Sequence, residues 1–118
     1  MASKTFEVKD HQIALHRDYE VYTPSGMVRC TGRINCTGRP RGAAADLRLQ
    51  IVFLPPGNVV PANVTNLAEH HATIYLPDAR FHDVLALLRS GESLYAYVSD
   101  SHPLSNQIRT SFDPVDEE

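Results

Sequence analysis

Six histidines, two cysteines and one Asp-Ser-His run are the residues of this chain best equipped for metal or nucleophilic chemistry, and their spacing decides what they can do. His70 and His71 are adjacent, so in a strand they point to opposite faces, and His11 and His16, five apart, do the same. His82 falls in a helical pattern whose i+4 position is Ala86, which carries no ligand. Cys30 and Cys36 lack CxxC spacing, and no local combination with histidine matches a zinc signature. Asp100-Ser101-His102 holds the residue types of a hydrolytic triad, but three successive residues cannot bring nucleophile, base and orienter into line. No serine lies in a G-x-S-x-G elbow. Asp78 and Asp83 are five apart, and Asp78 is placed to cap a helix. The sequence therefore nominates no catalytic residue, no metal ligand and no cofactor. A small enzyme or ligand-binding protein ranks third among its readings.

The cysteines sit six residues apart, an even spacing that puts them on one face of an unbroken strand. Along one strand they would be about 20 Å apart and unable to bridge. Only a turn at Gly32 would bring them together, so free thiols in a reducing compartment are expected.

A basic stretch is the next feature with chemical content. Arg29, Arg33, Arg39, Arg41 and Arg48 face a single acid, Asp46, between residues 27 and 48. Within it, Arg39-Pro40-Arg41 resembles the Gly-Arg-Pro core of an AT-hook over residues 38–41. That resemblance implies Arg39 entering a minor groove and Arg41 contacting phosphate. AT-hook families carry arginines on both sides of the core, whereas Cys36-Thr37 precede it here. A broader reading needs no motif: mobile arginines neutralise phosphates while Tyr19 and Tyr22 stack on bases. The net charge of −3 opposes long-range attraction of nucleic acid.

Charge is unevenly divided. Residues 1–50 carry a net +3 and residues 51–118 a net −6. A basic surface from 27–48 can therefore meet an acidic surface from 78–118 of another copy or another protein.

Mostly strands must position these residues. Alternation predicts one or two short strands over 5–16, a polar break at His16-Arg17-Asp18, then extended chain at 19–23. Pro24-Ser25-Gly26 is a turn, and 27–36 is a strand or pair with a bulge or bend at Gly32. Residues 37–45 are loop, 46–54 a strand whose second face turns from polar to apolar, and 55–70 loop-rich with one helical turn at 65–69. A strand at 71–76 precedes the helix expected at 79–90, with Asp78 as N-cap, Gly91 as C′, and Phe81, Val84, Leu85 and Leu88 as its apolar stripe. Strands at 94–99 and 107–112 follow, then a frayed acidic tail at 113–118.

At 118 residues and 42% apolar composition, the chain reads as one domain that needs no metal or disulfide to fold. The expected class is mostly β: a small antiparallel sandwich or partly open barrel, with one helix inserted before the last two strands. Tyr95 and Tyr97 lie opposite the core face of their strand. With Tyr75 and Leu54 they make a second apolar surface, filled by the other sheet or by a partner. The leading reading is a noncatalytic protein-interaction or self-associating module, a homodimer or a partner of another protein. A nucleic-acid-binding module using 29–48 stands second. There is no apolar leader and no segment able to cross a bilayer, so a cytoplasmic chain without membrane contact is expected. The triplets Asn35-Cys36-Thr37 and Asn63-Val64-Thr65 then carry no weight as glycosylation acceptors.

Overall fold

Half-apolar strands dominate the sequence, and each must bury one face against a second layer. The computed structural model describes residues 3–23, 26–57 and 59–110. It contains eight strands: β1 (Ser3–Glu7), β2 (Asp10–Thr23), β3 (Gly26–Gly38), β4 (Leu47–Leu54), β5 (Val64–Asn66), β6 (His71–Pro77), β7 (Tyr95–Ser99) and β8 (Gln107–Arg109). A helix, α1 (Phe81–Leu88), lies between β6 and β7. Five strands form one sheet in the order β2-β3-β4-β6-β5, and three form another in the order β1-β7-β8. Neither sheet closes into a barrel. The Cα radius of gyration, 13.8 Å, is that of a compact chain of this length, about 13.5 Å.

The mostly β class and the helix ahead of the last two strands are as expected, but the sheet is not wholly antiparallel. β4 and β6 run parallel, with Ile51 opposite Ile74. Their crossover, residues 55–70, contains β5 and a 3₁₀ turn (Leu67–Glu69) instead of a long helix. It therefore leaves no βαβ periodicity to read.

The core lies on one face of the five-stranded sheet, here the inner face. Ile34, Ile51 and Ile74 stand side by side across β3, β4 and β6. Cys36, Leu49, Phe53 and Ala72 complete that face. Phe6 of β1, Ala96 and Val98 of β7, and Val84 of α1 pack onto it. Phe81 meets Phe53 edge to face at 5.0 Å between ring centroids, a favoured aromatic geometry. The layers also approach closely at the backbone. A Cβ on Gly38 would collide with the carbonyl of Glu7, so only glycine fits there.

Several local expectations are corrected. His16-Arg17-Asp18 does not end a strand. It lies inside β2 as a bulge between Leu15 and Tyr19, because β3 continues to pair on both sides of it. Of the bulge or bend expected at Gly32, the bend is absent, since β3 runs unbroken through it, and the bulge lies in the facing strand, where the register slips just past the Leu15–Gly32 pair. A Cβ on Gly32 would meet Leu15 and Phe81 at about 3.4–3.5 Å. The helix is shorter than 79–90. The chain leaves β6 through extended Pro77 into a 3₁₀ turn (Asp78–Arg80), so α1 begins at Phe81 with Arg80 in the cap position. Asp78 therefore makes no cap bond, and its carboxylate accepts from Thr31 Oγ1 at 3.3 Å. Gly91 does adopt the left-handed conformation, φ +82°. β7 begins at Tyr95 and β8 ends at Arg109, while residues 111–118, with the predicted end of the last strand and the acidic tail, lie outside the described residues.

Candidate functional site

The two ends of the five-stranded sheet are finished differently. At one end, β5 is tied down by side-chain amides. Asn106 Nδ2 donates to Thr65 Oγ1 at 2.8 Å while its Oδ1 accepts from the Ser99 amide at 2.8 Å. Asn63 Nδ2 donates to the Pro103 carbonyl, and its Oδ1 accepts from the Tyr75 amide. At the other end, no described strand pairs with the outer edge of the 14-residue β2. A long open edge of this kind presents unpaired backbone groups to other chains.

The core runs off that open edge. Ile13 of β2 lies in register with Ile34, which continues into Ile51 and Ile74. Exposure along this row is 0% at Ile34, 2% at Ile51 and 7% at Ile74, then 40% at Ile13. Leu15, the next inner-face residue of β2, is 71% exposed. Tyr19, Tyr22 and Met27 are exposed further along the same hairpin.

Past the bulge the hairpin changes company. Cys30, with Val21 and Val28 against it, leaves the isoleucine core for a second cluster with Val52, Leu54 and Tyr75. Val21, Tyr22 and Thr23 overhang the outer face of the sheet, and a cleft of about 320 Å³ lies between them and Gln50, Val52, Thr73 and Tyr75. The face that starts polar in β4 thus ends under cover at Val52 and Leu54, as the sequence implies.

The uncovered part of the outer face is polar. Gln12, Asn35, Gln50 and Thr73 are direct neighbours across β2, β3, β4 and β6. Asn35 Oδ1 is shielded from solvent and has no hydrogen-bond partner among the described residues. The adjacent row holds Asp10, Thr37, Arg48 and His71, and a second cleft of about 380 Å³ opens onto Gln12, Asn35, Thr37 and Arg48. Burial lowers the pKa of His71, and the Arg48 charge lowers it further.

The predicted residues scatter around this frame. Alternation puts Arg33 of β3 and Arg48 of β4 on the outer face, while Arg29 lies beyond the bulge in register with Glu20. Arg33 Nε donates to His16 Nε2 at 3.1 Å, and its guanidinium lies 4.5 Å from the Tyr19 ring centroid. Arg39 pairs with Asp46 at 3.2 Å, and Arg41 sits in the turn after Pro40. Tyr75 is 7% exposed in the second cluster, so its apolar surface is filled by the chain's own hairpin. Tyr95 and Tyr97 belong to the other sheet and are half-buried, with the Arg109 guanidinium 5.0 Å from the Tyr97 centroid.

The residues of the Asp-Ser-His run shape their own loop: Ser99 Oγ accepts from the His102 amide and meets Ser101 Oγ at 3.3 Å. Among the described residues, no group of three His, Cys, Asp or Glu is arranged to hold a metal ion. Both cysteines are free and buried. Burial pushes the Cys36 thiol up to about 12 and raises that of Cys30 against the pull of Arg33. No helix among the described residues is long and apolar enough to cross a membrane.

Sequence reading missed two features, the exposed Ile13–Leu15 edge and the amide row. Asn35 does carry a faint signal, since Asn is depleted from strands. Only the strand register aligns it with Gln50. Comparison with protein-family models, curated proteins and solved structures found no match for this chain.

Proposed function

We propose that the chain is a noncatalytic self-associating module that pairs β2 with β2 of a second copy. The observation that carries this reading is the isoleucine row, buried across three strands and left 40% exposed at Ile13, on an edge with no described partner. An antiparallel pair with Ile13 on the two-fold axis keeps the inner faces together in an isologous interface. The same edge serves equally for strand addition by another protein, but self-pairing needs nothing beyond this sequence.

Covering what Ile13 and Leu15 still expose is worth about 1–2 kcal/mol each. Both copies contribute, yet association itself costs at least about 4 kcal/mol. The apolar gain from both copies, about 4–8 kcal/mol, leaves at most about 4 after that cost. The backbone hydrogen bonds of the new strand pair, about 1 kcal/mol each, add roughly 4 more, so the expected dimer is of micromolar affinity at best. Light scattering coupled to size exclusion tests it over about 5–200 μM. A mass rising from monomer to dimer is expected for the native chain and a constant monomer for Leu15→Lys, a change at an exposed site that spares the core. A native chain that stays monomeric at about 200 μM rejects the reading.

A further inference from the structure

We propose that the uncovered outer face of the five-stranded sheet binds single-stranded nucleic acid, with base edges on the Gln12–Asn35–Gln50 row and phosphate on Arg48. This stands on a different surface from the open edge and does not depend on dimerisation.

The amide row is the first argument. Asn is depleted from strands, yet Asn35 occupies a central strand in direct register with Gln50 of the next. Asn35 Oδ1 is left buried without a partner among the described residues, a condition that ordinarily needs explanation. A carboxamide offers both a donor and an acceptor, the pattern needed for a base edge.

Charge and shape supply the rest. Arg48 flanks the row on one side and Arg33 on the other, each two residues along its strand from an amide. Tyr22, 81% exposed in the hairpin segment that borders the second cleft, is the aromatic residue available for stacking. Two clefts of about 380 and 320 Å³ open on adjoining parts of the row, each large enough for a nucleotide-sized group. Four neighbouring strands span only about 14 Å, which suits a few nucleotides of one strand. A neutral oligosaccharide would use amides and an aromatic ring as well, but it carries no anionic group to pair with the flanking arginines.

Fluorescence anisotropy with labelled 12-mers of single-stranded DNA and RNA at about 25 mM salt is the test. Saturable binding in the tens of micromolar is expected. Arg48→Ala and Gln50→Ala should each weaken it about 3–10-fold, and Arg89→Ala, at the end of α1, should leave it unchanged. With one or two phosphate contacts, the log–log salt slope should lie near −1 to −1.5. Circular dichroism of each variant shows that it remains folded, and amide NMR shifts place the binding on Gln12, Asn35 and Gln50. No anisotropy change at about 200 μM protein, an equal loss from Arg89→Ala, or salt-independent binding of neutral oligosaccharides at the same amides would each overturn the proposal.

Discussion

Neighbouring residues on β3 and β4 live in opposite worlds. Ile34 and Ile51 face inward, at 0% and 2% exposure, beneath α1 and the three-stranded sheet. Asn35 and Gln50, one step along the same strands, face outward into open clefts. The inner face is made of side chains whose free energy comes from leaving water. The outer face carries polar groups that stabilise little and in one case remain unpartnered. Apart from the hairpin-covered cluster of Val52, Leu54 and Tyr75, the sheet buries its apolar side chains on one face and leaves the rest of the other open to recognition.

Substitution should expose the contrast most sharply. Ile51→Ala removes a buried side chain from the centre of the isoleucine row and should cost about 2–5 kcal/mol. Gln50→Ala beside it should change stability by less than about 1 kcal/mol. Urea unfolding of the pair measures the difference, and equal losses would erase the distinction between the faces.

Titration of the inner face comes next. Burial holds the Cys36 thiol at about 12 in the native state, against an ordinary value of 9.0. The folded chain therefore keeps a proton that the unfolded chain releases, and stability should fall as pH rises above 9.0. Native Cys36 should also resist alkylation at pH 8 until denaturant is added. Rapid labelling of Cys36 in the native protein would show that this face is not closed.

Asn35→Val is the reverse experiment. It removes a buried acceptor without a described partner and inserts a better strand former, so it should stabilise the fold by about 1 kcal/mol. The same variant should lose oligonucleotide affinity if the amide row is a recognition surface. A destabilised Asn35→Val would mean that the carboxamide supports the sheet.

The smallest effect belongs to His71 on the outer face. Its lowered pKa means that the folded state resists protonation, so its contribution is intact above the ordinary histidine value of 6.5 and is lost as pH falls below it. A modest acid loss between about pH 6.5 and 5, absent in His71→Gln, is the expected result from thermal melts.

Local pattern made much of this fold legible. Alternation in residues 47–54 placed β4, and the spacing of Phe81, Val84 and Leu88 located a helix that packs on the core. Gly26 and Gly91 take positive φ where turn chemistry required them. The errors also have local causes. The polar run at 16–18 resembles a loop because a bulge interrupts the register there while pairing resumes on both sides. Asp78 has the right chemistry for a cap, but Thr31, 47 residues away in sequence, claims its carboxylate.

What the sequence determined by itself was the class of most segments, because period and turn chemistry depend on a few consecutive residues. The tertiary structure alone decided the parallel β4–β6 pair, the bare edge at β2 and the alignment of Gln12, Asn35 and Gln50. These depend on which strands become neighbours and in what register, relations among residues about 15 to 40 positions apart that no local period encodes.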